Sequence, residues 1–76
     1  MEDSKEILKQ LGANIKAIRE KKNLTQLDIE VKAGVYASDL SKIENGNTNP
    51  SFTKLVRLAK VLGVQLNELY TLKTTE

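Results

Sequence analysis

Apolar residues recur every three or four positions through most of the chain, which is the spacing of helices with one buried face. The first stripe of this kind consists of Ile7, Leu8, Leu11, Ile15 and Ile18. It predicts a helix from about Asp3 or Ser4 to Lys22. Gly12 interrupts the stripe at a cost of about 1 kcal/mol relative to alanine, so it indicates a close approach by another helix.

Turn residues divide the middle of the chain into two short helices. Thr25 is a favourable N-cap for a second helix, and Gly34 predicts its end. A third helix is predicted within residues 35–46, which read VYASDLSKIENG, and Leu40 and Ile43 share one side of it. The other side carries Ser38, Ser41, Lys42 and Asn45. Such a short helix needs neighbours that bury its apolar side, and its polar face is available for contact.

Two further helices are predicted after a dense turn signal. Residues 45–50 read NGNTNP, in which Asn and Gly accept positive φ and Pro restricts the residue before it. Ser51 then caps a fourth helix, and a fifth spans about Leu66 to Leu72. The tail, residues 73–76, is expected to fray.

The five segments predict an all-α fold, because the sequence contains no alternating strand pattern and no internal repeat. We expect one compact five-helix bundle over residues 1–76, with residues 1–10 as an N-terminal extension of the first helix. A chain of 76 residues is close to the size at which one core supplies only a few kcal/mol. Oligomerisation would therefore add stability.

The composition argues against catalysis. The sequence has neither Cys nor His, which removes thiol nucleophiles, imidazole bases and the usual ligands of transition metals. We therefore expect no enzyme activity, no catalytic residues, no metal and no cofactor. No stretch approaches the roughly 20 apolar residues of a membrane span, and the N-terminus has no signal-like run. A cytoplasmic protein without membrane contact is the expectation.

The charge is unevenly distributed although the net charge is only +2. Residues 1–22 carry six Lys or Arg against four Asp or Glu, and residues 47–76 carry four against two. Residues 23–46 reverse this balance, with two against four. The distribution is weak evidence for an anionic partner, and an ordinary solvated surface explains it equally well.

The spacing of motifs across the chain is specific. Residues 25–46, TQLDIEVKAGVYASDLSKIENG, place two short helices about a tight turn at Gly34, which is a helix-turn-helix arrangement. Together with IKAIRE (15–20) and NPSFTKLVRLAKVLGVQLNELY (49–70), this segment resembles the lambda-repressor-like, XRE-type (Cro/XRE) DNA-binding family. The resemblance covers about residues 11–70, with the helix-turn-helix at about 25–45.

The resemblance implies double-stranded DNA as partner, with the third helix in the major groove and the second crossing the phosphate backbone. By this resemblance the residues that contact bases are Ala37, Ser38, Ser41 and Lys42. Those that contact phosphates are Thr25, Gln26, Tyr36, Asn45, Gly46 and Asn47, with Thr25 acting first as a helix cap. In the family, the residues matching Arg19 and Glu44 form an internal ion pair, and we expect the same pair here.

Three residues depart from the family pattern. Glu30 stands where a small Ala is usual, so its side chain must turn outward or open the crossing between the second and third helices. Tyr36 stands where a Ser or Thr cap is common. Asp39 lies on the flank of the polar face, where it would repel a phosphate or accept a hydrogen bond from cytosine.

The resulting functional hypothesis is a nucleoid-associated transcriptional regulator, most simply a repressor that binds a palindromic operator as a homodimer. Restriction-modification controllers and antitoxins are both small members of this family, and the sequence does not choose between them. Either dimerisation or simple closure of the core explains Leu66, Leu69, Tyr70 and Leu72. The alternative is a protein-interaction module of the same fold, antitoxin-like or an adaptor.

Overall fold

A computed structural model describes residues 4–71 of the chain, and all secondary structure in that range is helical. The five helices are α1 (Ser4–Lys21), α2 (Gln26–Ala33), α3 (Ala37–Glu44), α4 (Phe52–Leu62) and α5 (Leu66–Leu69). The predicted all-α, five-helix fold is thereby confirmed. A helix start at Asp3, the side chain of Leu72 and the tail 73–76 lie outside the described residues.

The fifth helix is shorter than predicted, because it ends at Leu69 rather than Leu72. The carboxamide of Asn14, on α1, donates hydrogen bonds to the main-chain oxygens of Leu69 (3.1 Å) and Thr71 (2.8 Å). The hydroxyl of Thr71 also turns back to the main-chain oxygen of Asn67, at 2.6 Å. These contacts engage the carbonyl groups at the helix end, so the chain turns along α1 instead of adding another helical turn.

Each helix contributes at least one fully buried aliphatic side chain to a single core. Ile15, Ile29, Leu40, Leu58 and Leu69 are each at most 1% exposed. Burial of such a side chain contributes about 1.5–3 kcal/mol relative to leaving it in water. The apolar stripes predicted from the sequence therefore converge on one interior, and Leu69 closes this core.

The third helix lies between two neighbours that bury its apolar side. Helix α1 packs against α3 and α5, and α2 packs against α3 and α4. The turn from α2 to α3 begins at Gly34, whose φ of 71° is left-handed, and continues with Val35, which is 1% exposed. With Leu40 and Ile43 also buried, the polar face of α3 is directed away from the core.

The backbones of α1 and α3 approach each other closely at Gly12. A Cβ atom at this position would overlap the main-chain oxygen of Ile43 and would lie 2.6 Å from that of Glu44. Main-chain atoms in a packed helix cannot move aside as the end of a long side chain can. The close approach that the sequence indicated at Gly12 is therefore present, and it brings α1 against the C-terminal end of α3.

Gly12→Ala is expected to destabilise the protein by about 3 kcal/mol, the upper part of the usual range for overpacking. Helix propensity alone predicts the opposite sign, a gain of about 1 kcal/mol. Urea unfolding distinguishes the two. Ala13→Gly is the matched control, because Ala13 is the exposed neighbour in the same helix and should lose only about 1 kcal/mol. A Gly12→Ala variant as stable as the wild type would contradict the close contact.

Candidate nucleic-acid interface

The residues predicted to contact bases lie together on the outer side of α3. Ser38 and Lys42 are exposed, and Ala37 and Ser41 are half-buried beside them. Within the described residues 4–71, no hydrogen bond or ion pair engages the side chains of Ser38, Ser41 or Lys42. This part of α3 is thus a solvent-facing polar surface whose side chains can bond to an external partner.

A buried ion pair fastens the C-terminal end of α3 to α1. The Nε of Arg19 donates to one carboxylate oxygen of Glu44 at 2.7 Å, and Nη2 donates to the other at 3.0 Å. The side chains are 9% and 2% exposed, respectively. The hydrogen bond with Glu44 raises the pKa of Arg19 and outweighs the opposing effect of burial. The two-point contact sets orientation as well as distance.

The ion pair is completed by two groups from the segment that leads into α2. Arg19 Nη1 donates to the main-chain oxygen of Leu24 at 2.7 Å. The carboxamide of Gln26 donates to Glu44 at 3.1 Å. These bonds join α1, the start of α2 and the end of α3 in one network. Gln26 Nε2 carries two hydrogens, so a phosphate contact by Gln26 remains a prediction alongside this structural role.

Thr25 and Asp28 form a capping box at the start of α2. The hydroxyl of Thr25 accepts from the Asp28 amide at 3.0 Å, and the Asp28 carboxylate accepts from the Thr25 amide at 2.8 Å. The hydrogen bond from the Thr25 main-chain amide lowers the pKa of Asp28. The hydrogen bond with the Thr25 side chain lowers it further, by a smaller amount. Thr25 is a cap first, and its phosphate contact remains a prediction.

The turn after α3 was expected to contact a phosphate, but its main-chain amides already donate hydrogen bonds within the chain. The main-chain amides of Asn45, Gly46 and Asn47 donate to the carbonyls of Ser41, Ile43 and Lys42, at 3.1, 3.1 and 2.9 Å. These hydrogen bonds therefore end the helix, and they leave no cluster of free amides that could bind an anion. Gly46, with φ of 74°, serves this turn, whereas the exposed side chains of Asn45 and Asn47 are still available to a phosphate.

The acidic residues of the middle segment all have partners within the chain. Residues 23–46 contain four of them, Asp28, Glu30, Asp39 and Glu44. Glu30 accepts from the Ala37 amide at 2.7 Å, and Asp39 accepts from Lys54 at 3.2 Å. Asp28 and Glu44 are engaged as described above. The acidic side chains of this segment are thus paired with nearby amides and cations, whereas the charge of Lys42 is available to an external partner.

Lys54 is a candidate site residue that the sequence did not reveal. It lies in the first turn of α4, and a groove between it and α3 is lined by Asp39, Lys42, Thr48, Asn49, Pro50 and Ser51, among others. The ion pair with Asp39 joins positions that are 15 residues apart. No local spacing rule connects such positions. Only the tertiary structure brings this second cation to Asp39, on the flank of the polar face.

Glu30 and Tyr36, which both depart from the family pattern, are explained together by the way α3 begins. Tyr36 occupies the N-cap of α3 without a side-chain capping bond, and its side chain is 68% exposed. The side chain of Glu30 is half-buried, and its carboxylate accepts from the Ala37 amide. The expectation for Glu30 omitted this partner, the uncapped N-terminal end of α3.

No metal site or membrane span is found in the part of the chain that the structure describes. Residues 4–71 contain no group of three or more Asp or Glu side chains arranged to bind a metal ion. No helix in that range is both long enough and apolar enough to cross a membrane.

The comparison with protein families assigns the chain to a class. The helix-turn-helix family model matches residues 15–69, which is most of the chain and includes all five core positions named above. The chain belongs to the lambda-repressor-like, Cro/XRE-type helix-turn-helix DNA-binding family. Its class is therefore that of DNA-binding transcriptional regulators and not of enzymes.

Individual relatives agree with this assignment. The HTH-type transcriptional regulator y4dJ of Sinorhizobium fredii is 40% identical over 63 residues, 83% of this chain and 82% of that protein. The immunity repressor protein of Bacillus phage phi105 is 39% identical over 59 residues, 78% of this chain and 41% of the repressor. Among solved structures, the restriction-modification controller protein C.AhdI from Aeromonas hydrophila superposes with a TM-score of 0.80 at 27% identity, covering 83% of this chain and 96% of that one.

Glu44→Ala is expected to destabilise the protein by about 3–5 kcal/mol, because it leaves the Arg19 guanidinium buried without its carboxylate. Glu20→Ala is the matched control. Glu20 lies 4.0 Å from the same guanidinium, but its side chain is 59% exposed, so its loss should change stability by no more than about 0.5 kcal/mol. Urea unfolding measures both. Equal midpoints for the two variants would exclude a structural role for the buried pair.

The capping box predicts a loss of stability in acid. The pKa of Asp28 is lowered from its ordinary 3.8, so the native state binds this proton less readily than the unfolded state. Its contribution is complete above about pH 4 and disappears as the pH falls through the lower native pKa. Asp28→Asn should weaken this dependence of the unfolding midpoint on pH. An NMR titration in which Asp28 has an ordinary or raised pKa would contradict the prediction.

Proposed function

We propose that the protein is a repressor that binds a palindromic operator as a homodimer, with α3 reading base edges in the major groove. The observation that carries this proposal is the polar outer face of α3, which is exposed while the helix is fastened from behind by the Arg19–Glu44 pair. An α-helix with side chains is about 10–12 Å across, which suits a major groove about 12 Å wide.

Within this geometry, each side chain on the face has a chemical role. Lys42 donates to guanine O6 and N7, Ser38 and Ser41 bond to base edges, and Ala37 contacts a thymine methyl group. Lys42 is exposed and has no acidic partner in the described chain. It is therefore the side chain expected to contribute most to discrimination between sequences.

Phosphate contacts would position α3 without reading sequence. The start of α2 presents Thr25 and Gln26, where the helix dipole favours an anion. The other proposed contacts are Tyr36, Asn45 and Asn47, together with Lys54 across the groove beside α3. All except Gln26 and Lys54, which are half-buried, have exposed side chains. These side chains would contact phosphates on either side of the groove that α3 enters.

A homodimer would place two copies of α3 in successive turns of one face of the duplex, with half-sites about 34 Å apart. A single short helix offers few base contacts, so a second copy increases affinity and specificity. Leu69 is buried in the core, whereas Tyr70 is 49% exposed and is available to a dimer contact near the C-terminus. As a DNA-binding regulator, the protein would act in the cytoplasm, on the nucleoid.

A second candidate function is a protein-interaction module, and one observation favours it. Leu27 and Val31 lie one turn apart on α2 and are 62% and 79% exposed. Adjacent exposed aliphatic side chains are a common feature of contact surfaces between proteins. In that alternative, this face of α2 would bind a partner such as a toxin or a subunit of the transcription apparatus.

The test is selection of binding sites from a random duplex pool at low salt, followed by titration of the selected duplex with wild type and Lys42→Ala. We expect a palindrome, and we expect Lys42→Ala to weaken its binding by about 1–3 kcal/mol for each half-site and to relax one base position in each. Lys60→Ala is the control for charge alone, since Lys60 is exposed in the last turn of α4.

Three outcomes separate the candidates. A selected palindrome with a loss confined to Lys42→Ala supports a dimeric, operator-binding regulator. Weak, salt-sensitive binding to any duplex, without enrichment, contradicts sequence reading by α3. Enrichment of an asymmetric site with one protein copy per duplex contradicts the homodimer but retains sequence-specific binding.

A further inference from the structure

The N-terminal end of α3 lacks the local side-chain cap that α2 and α4 have. Thr25 caps α2 and Ser51 caps α4, each through its own hydroxyl. Tyr36 stands at the corresponding position of α3 and makes no side-chain capping bond. The first amides of a helix have no partner within the helix, so another group must satisfy them.

Glu30 supplies that cap from the neighbouring helix. Its carboxylate accepts from the amide of Ala37, the first residue of α3, at 2.7 Å across seven positions of sequence. A charged acceptor at this end also interacts favourably with the positive end of the helix dipole. The bond therefore links the two helices of the helix-turn-helix directly at the point where α3 begins.

This bond is one of three attachments that set the position of α3. Glu44 attaches its C-terminal end to α1, and Asp39 attaches its flank to Lys54 of α4. Among these polar contacts of the described residues, only the bond from Glu30 acts at the N-terminal end, where Ala37 and Ser38 begin the proposed reading face. Without it, the first turn of α3 can shift or fray while the C-terminal end stays attached.

We propose that Glu30 is a positioning residue for DNA recognition, which sets sequence specificity by fastening the first turn of α3 to α2 without contacting DNA. The proposal rests on the function proposed above. Hydrogen bonds to base edges depend steeply on distance and angle, so displacement of Ala37 and Ser38 weakens the correct sequence more than a random one. Contacts to phosphate tolerate such displacement better, because they depend mainly on charge.

The charge and the hydrogen bond of Glu30 have separable effects. Glu30→Gln retains an oxygen that can accept from the Ala37 amide but removes a negative charge beside the proposed interface. We expect it to bind all duplexes more tightly and to keep the ratio of operator to scrambled-duplex affinity. Glu30→Ala removes the acceptor as well. We expect the ratio of operator to scrambled-duplex affinity to fall about tenfold, which corresponds to the free energy that one helix cap contributes.

A local cap separates helix capping from attachment to α2. In a Tyr36→Ser background the serine hydroxyl can cap α3 at its third residue, as Ser51 does for α4, but it makes no bond to α2. Addition of Glu30→Ala to that background should therefore still lower the specificity ratio about tenfold. Since Tyr36 is itself a proposed phosphate contact, the double variant is compared with Tyr36→Ser alone. Affinities for the selected operator and its scrambled sequence are measured at several salt concentrations, well below each variant's unfolding temperature.

Hydrogen exchange of the Ala37 amide, without DNA, tests the cap independently. We expect faster exchange in Glu30→Ala and near-wild-type exchange in Glu30→Gln. If the wild type selects no sequence, the proposed function fails, and exchange at Ala37 still reports whether the cap exists. The positioning role is overturned if Glu30→Ala leaves Ala37 exchange unchanged. It is also overturned if the variant weakens operator and scrambled duplex equally, or if the effect of Glu30→Ala disappears in the Tyr36→Ser background.

Discussion

The buried pair between Arg19 and Glu44 is the interaction on which the arrangement of the polar face of α3 depends. Removing two charges from water is costly, and here the cost is offset by a two-point contact and by further bonds from Gln26 and to the Leu24 carbonyl. These partners come from α1, the α1–α2 connection, α2 and α3. The close backbone contact at Gly12 lies beside the same end of α3. One polar network and one steric constraint thus act on the same helix end.

Helix α3 owes its stability to side chains from its neighbours. Eight residues are too few for a stable isolated helix in water. Its apolar side is buried by α1 and α2, and its polar attachments come from Arg19, Glu30 and Lys54, one on each neighbouring helix. Such an arrangement leaves the outer face of α3 without a role in holding the fold together. Substitutions on that face can therefore be made without loss of the fold.

The electrostatics of the interface follow from these contacts and not from composition. A net charge of +2 and an acidic middle segment do not by themselves favour a polyanion. In the folded protein every acidic residue of that segment accepts a hydrogen bond or ion pair from the chain, whereas Lys42 keeps its charge for an external partner. Short-range pairing therefore decides which charges an approaching duplex meets, because a carboxylate beside a cation or a helix N-terminus has a much weaker distant field.

The sequence alone determined the five helices, the core-facing residues of the first and third helices, and the family, because periodicity, caps and turns are local properties and the helix-turn-helix spacing is distinctive. It also indicated the close approach at Gly12 and the partner of Glu44. The bond from Glu30 to Ala37, the pairing of Asp39 with Lys54, the early end of α5 at Leu69 and the occupied amides after α3 were decided only by the tertiary structure. Each depends on which polar groups packing brings within hydrogen-bond distance, and no periodicity in the chain encodes that distance.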